Sequence, residues 1–381
     1  MKITQRNKKI FEIKERDGKA RVGILHTRKG DVMTPFFMPV ATKATGKHLS
    51  SKDFEEMGCD AVISNSFILS LSPGAEFIKK LGGVGKFMNF GGVNVTDSGG
   101  FQMYSDKFYK RSNDEGAWFS NPMNGDEIFM TPEKNMAMQL AIGADIAMCL
   151  DRMPLIEDDK HEIEEAVRKT TLWARRCKDE QTRLQKRIPK GKRQILLGIT
   201  QGGIHDKLRK QSASELKNLD FDGYAIGGLA LGEEKKDEYR MIKIHKSIIG
   251  EDKITYLMGV GHPVELVEAI SMGVDMFDSR FPTQTARHGM LLTSKGKLRI
   301  DKSEYRFDLR PIDENCDCKV CKNYSRAYVR YQLSQKEGVG YHLASYHNIY
   351  FLIRLVENAR QAIKARKFEQ FKKKIILAYK E

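Results

Sequence analysis

The sequence contains no run of eighteen apolar residues, so no segment reads as a membrane-spanning helix. Its opening, MKITQRNKKIFEIKERDG, lacks the apolar stretch of an export signal, and a cytoplasmic location is the expectation. Low-complexity linkers are missing before about residue 300. Cysteine is scarce: there are six, and Cys59, Cys149 and Cys177 lie far apart, which argues against a disulfide framework and fits reduced core thiols. Positive charge, in contrast, is abundant. The formal net charge is +15, with basic clusters in KRIPKGKR (186–193) and ARKFEQFKKK (365–374). A polyanionic partner fits that balance, although either cluster alone also reads as a solvated helix face. With 40% hydrophobic residues, 381 residues suffice for one large core and a small appendage.

Short apolar runs recur and keep ending on a polar residue or glycine: AVISN (61–65), VNVTD (93–97), DIAMCLD (145–151), ILLGITQGG (195–203), YAIGGL (224–229), TYLMGVG (255–261) and VDMFDS (274–279). Helical segments lie between most of them. TPEKNMAMQLAIG offers Thr131 as N-cap, Pro132 at the first helical position and Gly143 as terminator, and HPVELVEAISMG starts on Pro263 and stops at Gly273. Strands alternating with helices pair in parallel through right-handed crossovers. An open doubly wound sheet would gather its functional residues at one switch point. Polar residues here end nearly every strand, which favours an α/β fold of the closed (β/α)8 type, whose site is built from many strand ends.

Asp97, Asp151 and Asp278 all occupy such ends. In one barrel mouth, burial and mutual repulsion would separate their pKa values and hence their roles. Paired carboxylates of this kind suit chemistry at an anomeric carbon, one as nucleophile and another moving a proton on the leaving group. A single aspartate at a strand end is more often a helix cap; the threefold recurrence raises the functional reading above it.

CDCKVCKNYSRAY (316–328) places Cys316, Cys318 and Cys321 within one tight turn. Three thiolates so spaced in a reduced compartment point to a structural zinc, Zn2+, which takes four tetrahedral ligands. Of the downstream candidates His342 and His347, His347 is preferred, as it opens the helical segment HNIYFLIRLVENAR and could turn its ring onto the knuckle. The ion would staple a subdomain with little core of its own.

At this point TPFFMPVATKATGK (34–47), LGGVGKFMNF (81–90), VTDSGGFQ (95–102), LGITQGG (197–203), DFDGYAIGGLALGE (220–233), YLMGVGHP (256–263), GVDMFDSRFPT (273–283) and the cysteine triplet followed by His347 resemble, in order through nearly the whole chain, tRNA-guanine transglycosylases of the bacterial type. The resemblance implies a (β/α)8 barrel, taken as residues 1–300 with a short N-terminal β segment, and a zinc-binding subdomain with C-terminal helices at 301–381. It implies exchange of guanine 34 in the tRNA anticodon loop for a free 7-deazaguanine base, by a homodimer. Asp278 would be the nucleophile on C1′ of the ribose, and Asp97 would handle protons at N9. Asp151, Gln201, the Gly228 amide and the Leu229 carbonyl would read the base, with Phe101 and Met258 sandwiching its ring, while His262, Gln284 and Arg287 would meet RNA. Cys316, Cys318, Cys321 and His347 would hold the zinc.

The departures bear on specificity. Arg152 and Met153 follow Asp151 where the family usually has a carboxylate and a small thiol, and Leu231 stands where valine is usual and glycine accompanies the bulky base queuine. Leu231 therefore favours a small substituent such as the aminomethyl of preQ1. Gln284 replaces an arginine, while Arg287 is kept. Lys322, Arg326 and the C-terminal lysines form an expected phosphate-positioning surface. Competing readings are altered base or nucleic-acid specificity (queuine, preQ0, DNA), a glycoside hydrolase, and a zinc RNA-binding protein without chemistry. An archaeosine-type enzyme is disfavoured because the chain ends soon after the zinc segment.

Overall fold

Strands β4 (Phe36–Pro39), β5 (Ala61–Asn65), β6 (Val93–Asp97), β10 (Ile146–Met148), β11 (Ile195–Thr200), β12 (Gly223–Ile226), β13 (Ile254–Leu257) and β14 (Met276–Ser279) form one parallel sheet in the computed structural model, which describes residues 9–99, 108–154 and 158–380. The spatial order is β4-β14-β13-β12-β11-β10-β6-β5, so each strand lies beside its predecessor in this set. Sheet ends meet where Val40 bridges Ile63 in parallel and the Ala41 amide donates to the Ile63 carbonyl at 2.7 Å. The result is a (β/α)8 barrel. Every position of β5, β11, β12 and β13 is buried, as expected of strands covered on both faces.

All seven apolar runs overlap a barrel strand. The eighth strand, β4, ends on Pro39, so it lacks the polar or glycine ending that marks the other runs. The helix after β9 runs Pro132–Ile142, with Thr131 Oγ1 accepting from the Lys134 amide at 3.3 Å and Gly143 left-handed at φ 82°, and the helix Pro263–Ser271 also begins where the sequence places it. Three antiparallel strands, β1 (Phe11–Asp17), β2 (Ala20–Thr27) and β3 (Gly30–Thr34), close the end where the barrel strands start. Their lock is Arg21, which donates to both carboxylate oxygens of Asp275 at 2.9 and 2.5 Å and to the carbonyls of Glu251 and Lys253. A second small sheet, β7 (Tyr109–Ser112), β8 (Ala117–Ser120) and β9 (Glu127–Met130), is inserted after β6.

Beyond β14 come the short helix Phe281–Arg287, the hairpin β15 (Met290–Thr293) and β16 (Gly296–Arg299), the cysteine segment, and the helix Gly338–Lys364. That long helix lies against β4, β15 and Phe281–Arg287, and its Arg360 donates to the Pro35 carbonyl at 2.7 Å. His347 does not open it, contrary to the sequence reading: the helix starts nine residues earlier. Gly338 and Gly340 disguised that start, because glycine is a poor helix former. Packing overrides the propensity: Gly340 is buried against the preceding helix, where a Cβ would come within 2.7 Å of the Gln332 carbonyl carbon. Among the described residues no helix is long and apolar enough to cross a membrane.

Candidate active site

Asp97 ends β6, Asp278 is the penultimate residue of β14, and Asp151 follows β10, so all three sit at the end where the strands finish. Barrel enzymes carry their chemistry at that end. Asp97 is held from β5: Asn65 Nδ2 donates to Oδ2 at 3.3 Å and the Ser66 amide to Oδ1 at 3.4 Å, while the Gly99 amide closes a local turn onto Oδ1 at 3.2 Å. Asp278 Oδ1 accepts from the Tyr256 hydroxyl at 2.6 Å and the Gly259 amide at 2.9 Å. Asp151 accepts from Ser98 Oγ at 3.2 Å and from Gln201 Nε2 at 2.6 Å.

These donors are neutral, and burial dominates. It pushes the Asp97 carboxyl up to about 7, and the charges of Asp278 and Asp151 add to the rise against the bonds from Gly99 and Ser66. Asp151 is raised by burial to about 6. Asp278 is raised by burial too, opposed by the Gly259 amide and Tyr256. Tyr256, also buried, feels Asp278 and Asp97 together and stays a phenol. One mouth therefore holds a carboxyl poised near neutrality, a second fixed by two donors, and a third aimed by an amide.

Gln201 is fully buried, and its Oε1 has no partner among the described residues. Gly228 lies against it: a Cβ there would come within 2.5 Å of Oε1, and φ is +66°. Leu229 is buried beyond, and Met258, half-buried, follows β13. Phe101 lies outside the described residues. Arg152, next to Asp151, stacks its guanidinium over Tyr109 at 4.8 Å and pairs with Asp158 at 3.5 Å and Glu162 at 3.6 Å. It lowers the Asp151 pKa too little to offset burial. Arg287 is half-buried and Gln284 exposed on the short helix after Asp278, and His262 is packed between the rings of Phe281 and Tyr379. Arg326 is engaged with Asp308 at 3.0 Å and the Ile312 carbonyl at 3.1 Å, which leaves it little freedom for a phosphate. The 186–193 cluster precedes β11 and so belongs to the end opposite the aspartates.

Sequence reasoning missed several supporting residues. Tyr256 sits mid-strand and reads as plain core. Glu233 accepts from the amides of Ala230 at 2.6 Å and Leu231 at 2.9 Å, fixing the loop after β12. Asn348 accepts from the Leu292 amide at 2.9 Å and donates to the carbonyls of Pro282 and Met290, each at 3.0 Å, tying the segment after Asp278 to the long helix.

The donor atoms of Cys316, Cys318, Cys321 and His347 all lie within 4.8 Å of one another. His347 Nδ1 is 3.9, 3.6 and 3.3 Å from the three sulfurs in turn. Bonds of about 2.3 Å to sulfur and about 2.1 Å to nitrogen in a tetrahedron give an edge of about 3.6 Å, so the cluster fits a metal ion. His347 Nε2 donates to the Leu292 carbonyl at 2.8 Å, which leaves Nδ1, the atom facing the sulfurs, as the one that could ligate a metal. His342, the other candidate, contacts the His48 carbonyl instead.

The queuine tRNA-ribosyltransferase family model matches residues 16–381. Proteins named queuine tRNA-ribosyltransferase from Fusobacterium nucleatum (43% identical over 371 residues, 97% of this chain and 98% of the relative) and from Staphylococcus aureus and Bacillus licheniformis (each 43% over 360 residues, 94% and 93%) are similar along almost their whole length. A barrel with strand-end carboxylates, a cysteine–histidine cluster behind the last strand and this end-to-end likeness lead to one conclusion: the chain belongs to the queuine tRNA-ribosyltransferase family of transferases.

Proposed function

We propose that this protein replaces guanine 34 of a tRNA anticodon loop with a 7-deazaguanine, best suited to preQ1, through a covalent aspartyl-ribosyl intermediate. The observation that carries the reading is the pair Asp278 and Asp97 in one mouth, near enough for Asp97 to feel the charge of Asp278 yet held by different donors. An ionised Asp278 oxygen attacks C1′; the C1′–N9 bond breaks, and its electron pair leaves on the guanine, which takes a proton from Asp97. The incoming base then returns its N9 proton to Asp97, N9 attacks C1′, and the C1′–O bond to Asp278 breaks. Two displacements retain configuration. A carboxyl raised to about 7 can give and take that proton at neutral pH.

Asp151 accepts from the N1 and exocyclic amino protons of the base, Gln201 and the Gly228 amide meet its other edge, and Phe101 and Met258 cover its faces. The Leu229 carbonyl accepts from an aminomethyl group. Leu231, half-buried in the loop that Glu233 fixes, leaves less room beside C7 than a small residue would, which favours preQ1 over queuine. His262, Gln284 and Arg287 are assigned to the RNA flanking position 34. The metal of the Cys316, Cys318, Cys321 and His347 cluster is taken to be zinc, whose soft and borderline ligand set it matches, and its role is structural. Exposed Tyr324, Tyr328 and Tyr331 beside that cluster offer an apolar face to a second copy in a homodimer.

The test is incubation of the protein with an anticodon stem-loop RNA, followed by denaturing electrophoresis. A protein–RNA adduct should form, be chased by preQ1, and be absent from Asp278→Ala. An adduct that survives in Asp278→Ala would refute the nucleophile assignment.

A further inference from the structure

Behind the proposed base pocket lies one fully buried cation that the reaction does not use. Arg209 comes from the first turn of the helix Asp206–Asn218. Its Nη1 donates to the Thr200 carbonyl at 2.8 Å and to the Gly227 carbonyl at 3.0 Å, and its Nη2 donates to the Gly203 carbonyl at 2.9 Å. One side chain thus joins the ends of β11 and β12. The same helix supplies Ser212, whose Oγ accepts from the Gln201 amide at 2.9 Å. The approach is tight: at Gly202, φ is +130° and a Cβ would come within 2.6 Å of the Arg209 amide nitrogen.

A trans peptide group points its carbonyl and its N–H in opposite directions. The Gly227 carbonyl and the Gly228 N–H belong to one such group. We infer that Arg209 is a positioning residue for the incoming base: its grip on the Gly227 carbonyl turns the Gly228 N–H away from the guanidinium as a ready donor, at a residue that lies against Gln201 Oε1, an atom with no partner among the described residues. Hydrogen bonding at the carbonyl also polarises the amide and strengthens that N–H. A fully buried guanidinium is costly to desolvate, and burial draws its pKa down to about 9. Lysine could not replace it, because a single nitrogen cannot span three carbonyls in the fixed fork of arginine. The inference rests on the reading of Gly228 and Gln201 as base contacts.

The test is steady-state exchange by R209K with preQ1 and an anticodon stem-loop as separately varied substrates. Misaiming one donor should raise the KM for preQ1 about tenfold, leave the KM for the RNA within about twofold, and move the Gly228 amide proton upfield. An unchanged KM for preQ1, or equal losses on both substrates, overturns the role of Arg209. If R209K does not fold, hydrogen-bond scalar coupling in the wild type decides: coupling from Arg209 Nη1 to the Gly227 carbonyl carbon, with a downfield shift of the Gly228 amide on adding preQ1, supports it, and absence of either overturns it. A wild-type protein that exchanges no base defeats the functional reading itself, whereas an active wild type with an unmoved KM in R209K defeats only this inference.

Discussion

The same strands carry aspartates at both ends, and the two sets sit in opposite surroundings. Where the strands start, Asp275 is gripped by Arg21 and also accepts from the Thr255 amide at 2.7 Å; Asp145 pairs with Arg28 at 2.7 Å and accepts from the Asn94 amide at 2.9 Å. Where they finish, the described hydrogen-bond donors of Asp97, Asp151 and Asp278 are neutral. An arginine partner fixes a carboxylate in its ionised form and joins two elements. A neutral donor aims the carboxylate while leaving its proton negotiable. Chemistry that must pick up and release protons at neutral pH needs the second arrangement, and a sheet sealed at its base needs the first.

The sharpest division between the ends comes from Asp278→Asn. It removes the proposed nucleophile while keeping shape, and exchange should fall by about 10^4-fold or more with the midpoint of thermal unfolding nearly unmoved. Asp97→Asn follows, with an expected loss of about 10^2–10^4-fold in exchange. Its pH signature is distinctive. Because burial raises the folded pKa of Asp97 from 3.8 to about 7, the stability that this group contributes is fully present below 3.8 and is lost as pH rises through about 7. Urea titrations of the wild type should show a decline between those limits, and Asp97→Asn should show a shallower one, keeping the part owed to Asp151 and Asp278. At the other end, Asp275→Asn leaves Arg21 buried with a poorer partner, and a cost of about 3–5 kcal/mol in urea unfolding is expected, with exchange per folded molecule within about twofold. Should Asp275→Asn instead abolish exchange in a fully stable protein, the division of labour is wrong. The smallest effect belongs to Tyr256→Phe: loss of one hydrogen bond to Asp278 should lower exchange about tenfold, measured as kcat with saturating RNA.

Much of this was legible in the sequence because the barrel repeats itself. A buried strand that ends on a polar residue gave the mouth, and VNVTD and AVISN coincide with β6 and β5 residue for residue. The cysteine spacing was equally plain, since three thiols fall within six residues. The base of the barrel was not legible: Arg21 and Asp275 are 254 positions apart, and neither looks unusual locally. Arg209 was not legible either, because its burial depends on the turn at Gly202 pressing against it. The start of the long helix was hidden by glycines that only packing explains.

Asn348 and His347, adjacent on that helix, bond through their side chains to the stretch from Pro282 to Leu292. During synthesis the three aspartates leave the ribosome well before either residue does. A nascent or prematurely terminated chain can therefore display all three carboxylates and still lack the bonds from Asn348 and His347 to the segment behind Asp278, so competence arrives late in translation, with the helix that also carries the histidine of the candidate metal cluster.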